Sequence, residues 1–431
     1  MWDTLTGLIN APLAEEDAEG RQRAQAISQL PMRLGGLGLR SAVRTAPAAY
    51  WASWADALPM LRARVPVVAL AAVRSLTANN GDMDGCIREA NAARELLMAD
   101  GFVTAPAWQQ VFEGARPTSE AEEEREPGEW KHGWQYYAAA HRENQYRAGS
   151  LLPSMTATSR ALLLSQSGRC AGRHLELLPV NDDMAIESER FRALLLRRLR
   201  LQLPLTSRVC RGRSCRLDTD AYGDHSTACP RTGLLRRRAG PMERAWARVG
   251  REAGGRVRTN VSINDLNIAN RYANDGRRIE VVIDGLPLYN GAQIVLDCTL
   301  VSPVGRDGLP RSGSDRHEGV IMEEAARTKR RHYRDVVAAR RCRFVVAAME
   351  VGGRWGQEAF DLIRHMAKAR ARSAPGWLRR TLEAAHARRW TGLIAAAAQS
   401  AYAATLGEDD EDVGLCRDAP PPTWSELLGA D

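Results

Sequence analysis

The chain has 431 residues, a formal net charge of +8, 44% apolar residues and a mean hydropathy of −0.37. These values exclude a single small module and leave room for two or three domains, each with its own core. No run of 18 apolar residues occurs, and MWDTLTGLINAPLAEEDAEG lacks the basic start and apolar stretch of a secretory signal, so an intracellular protein with no membrane partner is expected.

Residues 1–75 contain LPMRLGGLGLRSA, a glycine-rich turn, and then an alanine-rich helix. Pro47 suits its first turn, and Trp51, Trp54 and Leu58 recur at helical spacing as a core stripe. Residues 76–205 read as a helical linker region: IREANAARELLMA is the clearer early helix, and RPTSEAEEEREPGEWKHG (116–133) is an acidic, proline-punctuated loop. Helices resume at WQYYAAAHRENQYR and at ESERFRALLLRRLRLQL. In the latter Phe191, Leu194, Leu195 and Leu199 line one face, Arg192, Arg197, Arg198 and Arg200 fall elsewhere, and Pro204 ends it.

A Cys/His cluster occupies 206–235. From 236 to 405 the sequence gives the helix PMERAWARVGREAG, two apolar strands in RRIEVVIDGLPLYNGAQIVLDCTLVSP, and a loop of Gly, Arg, Ser and Asp at 304–319. The helix EEAARTKRRHYRDVVAAR, the buried strand CRFVVAAMEV, the amphipathic helix GQEAFDLIRHMAKARA and a long helix near 377–405 follow. The tail, 406–431, with GEDDEDVG, is expected to be disordered. The pattern predicts an α+β fold: a mostly helical amino-terminal half, a small knuckle, then an α/β domain built on a sheet flanked by helices.

Positive charge is concentrated. Arg190 to Arg271 holds 19 arginines against six acids, a surplus of 13 that exceeds the net charge of the whole chain. Such a segment is the electrostatic footprint of a nucleic-acid binder, because each phosphate neutralised releases counterions; the competing reading is solvated helix surface. Arg211, Arg213, Arg236, Arg237 and Arg238, with Arg330 and Arg331 further on, are the candidate phosphate contacts. Only three lysines, Lys131, Lys329 and Lys368, stand among 60 basic residues. A lysine that persists in so arginine-rich a chain is a candidate for chemistry that needs a compact ammonium.

Three of the eight cysteines gather with a histidine as Cys210-x4-Cys215-x9-His225-x3-Cys229. Three thiols and an imidazole are the donor set of a closed, four-coordinate zinc site, which leaves no position for a reacting water and so is structural. The Asp-rich connector, with its glycine, is able to turn the second ligand pair back onto the first.

The strand pair carries carboxylates where a buried strand should have none: Glu280 and Asp284 on the first strand, Asp297 on the second. Buried acids need a cation, and two carboxylates suit Mg²⁺ or Mn²⁺, able to polarise a phosphate and lower the pKa of water. Lys329 and Tyr333 stand one helical turn apart downstream, where a lysine could steady charge on phosphorus. Asp284 is an alternative first ligand to Glu280, which would then pair with Arg277 or Arg278, and Glu243 is an acid that could enter from outside the sheet.

The order of these features resembles the carboxy-terminal part of non-LTR retrotransposon polyproteins that carry a restriction-like endonuclease. It runs from the Cys/Cys/His/Cys knuckle through a helix to Arg278-x-Glu280, Asp297-x-Thr299 and Ala326-x-x-Lys329-x-x-x-Tyr333. The resemblance implies a PD-(D/E)XK-type fold, a mixed sheet with flanking helices that cuts DNA with a divalent metal, the cut priming reverse transcription of the element's RNA. Glu280 matches the Asp of the family's Pro-Asp, Asp297 the second acid, Lys329 a lysine displaced onto the following helix, and Tyr333 the tyrosine four residues on. LPMRLGGLGLRSA and the helix after it are similar to the thumb-like segment following the polymerase palm. Partners implied are DNA, element RNA and a complete element protein acting in trans, in the nucleus.

Two departures stand out: Ile279-Glu280 replaces Pro-Asp, and Thr299 sits where the simplest motif has its lysine. No Tyr-x-Asp-Asp turn is present, so the chain is not a polymerase on its own. The alternative reading is an inactive, zinc-assisted nucleic-acid-binding remnant.

Overall fold

The computed structural model describes residues 2–11, 17–78, 85–117, 133–179, 182, 184–205, 209–210, 212, 215–266, 268 and 275–406. Most of the acidic loop at 116–133, the acidic tail beyond Leu406, Lys131, Arg211 and Arg213 lie outside the described residues. The chain is α+β and separates into two compact units, Ser28–Pro31 with Gly38–Met155, and Met1–Ile27 with Met32–Leu37 and Thr156–Asp431. The division after Met155 falls inside the segment read from sequence as a linker. No described helix is long and apolar enough to cross a membrane.

The smaller unit is helical: α1 (Ala42–Arg64), α2 (Pro66–Ala78), α3 (Gly85–Ala99), α4 (Trp108–Glu113) and α5 (Trp134–Tyr146). Ser41 caps α1 by accepting from the N–H of Arg44, so the helix starts before the predicted first turn and carries Pro47 and Pro59 inside it. Trp51 and Leu58 are fully buried, Trp54 is half-buried, and the Trp51 ring meets Phe102 and Trp134 edge-on at 5.8 and 5.5 Å.

The larger unit is built on α6 (Ala157–Ser165), α7 (Ser188–Arg198), α8 (Ala239–Glu252) and a four-stranded sheet. Its strands are β1 (Arg256–Ser262), β2 (Arg278–Asp284), β3 (Gln293–Val301) and β4 (Cys342–Glu350). They lie in the order β1-β2-β3-β4, with the first two pairings antiparallel and β3 parallel to β4. The connection from β3 to β4 carries α9 (Val320–His332) and α10 (Arg334–Ala338); α11 (Gln357–Ala371) and α12 (Arg379–Leu406) complete the unit.

Alternation along the strands separates two cores. Val281, Ile283, Leu296, Val345 and Ala347 pack with Trp246 of α8, Leu362 and Met366 of α11 and Trp390 of α12. Val282, Val295 and Val346 pack instead with Met322 of α9, Val336 of α10 and Tyr333 between the two helices. Each fully buried Val, Ile or Leu side chain here contributes about 1.5–3 kcal/mol. Ala395 to Ala398 of α12 are all buried, and their small side chains let that helix run through the core.

Three expectations need correction. β1 is a strand that the sequence reading omitted; it is an edge strand, with Arg256 and Arg258 exposed, which hides the apolar alternation. The helix expected to reach Pro204 ends at Arg198, because Arg200 turns to a left-handed φ of 57°. On that helix Arg197 and Arg198 are not surface residues. Arg197 donates to the Tyr402 hydroxyl and the Tyr222 carbonyl and pairs with Asp224, and Arg198 donates to the carbonyls of Gly36, Gly352, Met32 and Gln166. A guanidinium is buried when its donors are met in this way. Part of the basic segment's charge therefore serves packing.

Candidate functional site

The first of two constellations in the larger unit is the Cys/His cluster. The ligand atoms of Cys210, Cys215, His225 and Cys229 all lie within 4.8 Å of one another. Four donors at about 2.3 Å around a tetrahedral ion stand about 3.8 Å apart. The observed separations are 3.9 Å from Cys210 Sγ to Cys229 Sγ, 3.6 Å from Cys229 Sγ to Cys215 Sγ and 3.5 Å from Cys215 Sγ to His225 Nε2. The set fits a metal such as zinc.

Asp220 makes the turn that the spacing requires. Its carboxylate accepts from the N–H groups of Tyr222, Asp224 and His225 at 2.9, 3.0 and 2.9 Å, and Gly223 follows with a φ of 77°. His225 points Nε2 at the thiols while Nδ1 lies 2.6 Å from the carbonyl of Arg306, the arrangement in which a metal-ligating imidazole donates its other N–H to a carbonyl. The N–H of Leu217 brings the Cys215 thiol down to about 7, toward thiolate, whereas burial pushes Cys210 up to about 11.

The second constellation forms where β2 begins, on β3 and at the end of α9. Lys329 Nζ stands 2.7 Å from Asp297 Oδ1; Asp297 is 2% exposed and the lysine side chain 32%. Glu280 accepts from the backbone N–H of Cys298, the residue after Asp297. Burial, and then the charge of Asp297, push the Glu280 carboxyl up to about 7. Burial likewise raises Asp297, with Lys329 opposing it. Tyr333, buried at the end of α9, donates to the carbonyl of Arg278 at 2.9 Å; burial and the two carboxylates push its hydroxyl up to about 12. Glu280, Asp297, Lys329 and Tyr333 are thus one electrostatic unit assembled from three elements.

The alternative acids lie differently. Asp284, at the far end of β2, accepts from Gln293 at 2.7 Å and pairs with Arg258 at 3.3 Å. Arg277 is held by Asp275 and Asp335, and Arg278 by Asn260. Glu243, half-buried on α8, is raised by burial and adds its charge to the environment of the Cys298 thiol.

Among the arginines assigned to phosphate, Arg238 is buried, donating to the Thr227 carbonyl and the Thr405 hydroxyl. That assignment fails for a packing reason: its guanidinium closes the ends of two helices from inside. Arg330 pairs with Glu358, while Arg236, Arg237 and Arg331 are exposed.

Sequence reasoning passed over the turn made by Asp220 and the role of Asn260, and it offered Arg278 as a partner of Glu280, whereas Arg278 holds Asn260. An Asp-x-x-Gly turn, Asp220 to Gly223, was a usable signal for the first; Asn260 acts through its backbone conformation, which leaves no signal in the sequence. No protein-family model matches this chain, and no curated protein matches it.

Proposed function

We propose that the protein is a metal-dependent DNA endonuclease of the retroelement type, a phosphodiester hydrolase whose working residues are Glu280, Asp297, Lys329 and Tyr333. The observation that carries the reading is the meeting of a buried carboxylate, Asp297, a half-buried one, Glu280, and one of the chain's three lysines at a single point on a mixed sheet. A purely structural ion pair does not call for the second acid. The charge of Asp297 raises the cost of ionising Glu280, a penalty that a pair built for stability alone would not carry.

Glu280 and Asp297 would hold Mg²⁺ or Mn²⁺, two hard oxygen donors being what these ions take from a protein. Such an ion, when bound, supplies polarisation of a phosphate oxygen and acidifies a water. Lys329 presents a compact positive charge beside Asp297, where it neutralises the carboxylate and is placed to meet charge developing on phosphorus. The Tyr333 ring packs on Phe344, with centroids 5.4 Å apart, and its hydroxyl ties the end of α9 to β2, which fixes the lysine's helix against the sheet. Arg236, Arg237 and Arg331 offer exposed charge for the backbone of the nucleic acid.

The knuckle would hold zinc and anchor the loop at Arg306, upstream of α9. The mixed sheet with helices on both faces also agrees with what the retroelement resemblance implies.

Incubation with supercoiled plasmid and with branched or nicked DNA, in Mg²⁺ and in Mn²⁺ at matched salt, tests the reading. Cleavage by the parent, lost in Asp297→Ala and Lys329→Ala, is the result expected. Binding by all three without cleavage would leave the zinc-assisted nucleic-acid-binding remnant in its place.

A further inference from the structure

Glu280 occupies the one point in β2 where the sheet is open on both sides. Toward β1, the register pairs Thr259 with Val281 and Val261 with Ile279, and skips the facing pair Asn260 and Glu280. Toward β3, pairing stops at Val281 with Leu296, one step short of Glu280 and Asp297. The amide of Cys298 thus faces a carboxylate and not a β2 carbonyl.

Asn260 is the one non-glycine residue within the described strands whose φ is positive, at 50°. Asparagine tolerates this left-handed conformation better than most residues, and β-branched residues tolerate it least. Arg278 fixes it: its Nε donates to Asn260 Oδ1 at 2.6 Å and a terminal nitrogen donates to the Asn260 carbonyl. The carbonyl of Arg278 in turn accepts from Tyr333. A hydrogen-bonded chain therefore runs from the irregularity in β1, past Glu280, to the helix that carries Lys329.

We infer that Asn260 is a positioning residue for the carboxylate pair: its left-handed backbone, locked by Arg278, holds β1 off Glu280 so that the Glu280 carboxylate lies outside the ladder and against the Cys298 amide. The functional meaning of this device rests on the proposed metal-dependent reaction; its geometry does not. A regular β1 would restore backbone pairing at Asn260 and draw Glu280 back into the sheet.

The series Asn260→Gly, Asn260→Ala and Asn260→Val, made in the full zinc-loaded chain, raises the cost of a positive φ step by step. Two readouts apply: Mn²⁺ affinity by calorimetry, and the proton shift and exchange rate of the Cys298 amide after ¹⁵N-cysteine labelling. Asn260→Gly should bind Mn²⁺ within about threefold of the parent and keep the amide signal, while Asn260→Val should lose about tenfold or more in affinity. In Asn260→Val the amide should also shift upfield and exchange faster, and Asn260→Ala should fall between. If Asn260→Val does not fold, the Gly and Ala pair decides.

Parent-like behaviour of Asn260→Ala and Asn260→Val in both readouts would overturn the inference, as would damage by Asn260→Gly equal to that by Asn260→Val. A parent that binds no Mn²⁺ would defeat the proposed function, and the Cys298 amide would still report on Asn260.

Discussion

Lys329 Nζ lies 2.7 Å from Oδ1 of Asp297, joining the last turn of α9 to the middle of β3. The pair is asymmetric: the acid is wholly enclosed and the lysine partly open to solvent. Removing the ammonium leaves a buried charge, whereas removing the acid leaves a cation that water can reach. Lys329→Met is therefore expected to cost about 1–3 kcal/mol at pH 8. The cost should fade in acid, where Asp297 takes up a proton, and thermal melts at several pH values check it. Cleavage should fall by about 10²-fold or more, and Lys329→Arg should not restore it fully, since a planar fork does not replace a point charge.

Metal affinity should depend on pH through Glu280. Its carboxyl titrates at about 7, above the ordinary value, and must lose its proton to bind a cation. Below pH 7 the apparent Mg²⁺ or Mn²⁺ affinity should drop by about tenfold per unit, and above it should level off. For the metal-free protein the sign is the reverse of the usual carboxylate case. The folded state holds this proton more tightly than the unfolded chain, so the contribution to stability is full below about pH 4.5 and is lost as pH rises through 7. Glu280→Gln should abolish the metal binding and remove the share of the stability change between pH 4.5 and 7 that belongs to Glu280, as calorimetry across pH 5 to 8 would reveal.

One equivalent of zinc should bind the Cys/His cluster. Cobalt substitution should give the thiolate charge-transfer bands of a tetrahedral site, and Cys229→Ser should abolish them. Asp220→Ala keeps all four ligands but loses the turn, and should weaken the metal by about 10- to 100-fold. Competition with a chromophoric chelator measures both.

Arg238 and its neighbours should behave oppositely. Arg238→Ala removes a buried guanidinium and strands the Thr227 carbonyl, at an expected cost of about 2–4 kcal/mol. Its effect on DNA binding should be no larger than that loss of fold explains. Arg236→Ala and Arg331→Ala should leave the melting temperature unchanged, and each of these or Arg237→Ala that contacts phosphate should lower the slope of log affinity against log salt by about one. Anisotropy titrations at several salt concentrations separate the two classes.

Why some of this was legible in the sequence and some was not follows from the kind of signal each feature leaves. β2, β3 and β4 show as Val/Ile runs because both faces of the sheet are covered, and α11 shows through its amphipathic spacing. Acids on such runs are conspicuous, which made Glu280 and Asp297 readable as a pair and Lys329 readable as the exception in an arginine-rich chain. β1 left little trace because an edge strand can expose arginine. Arg197 and Arg198 were placed off the apolar face and Arg238 among the phosphate contacts because composition cannot reveal carbonyls that gather from distant segments, such as Gly36 and Gly352 around Arg198. The left-handed turn at Asn260 is a backbone property, and an asparagine between Thr259 and Val261 does not announce it.

The measurement closest to the central claim is a Mn²⁺ titration followed by electron paramagnetic resonance at pH 8, on zinc-loaded protein, comparing the parent with Glu280→Gln, Asp297→Asn and Asp284→Asn. The account predicts one Mn²⁺ bound by the parent and by Asp284→Asn, and affinity lost in the other two. Binding that survives both Glu280→Gln and Asp297→Asn, or that disappears with Asp284→Asn alone, would contradict it.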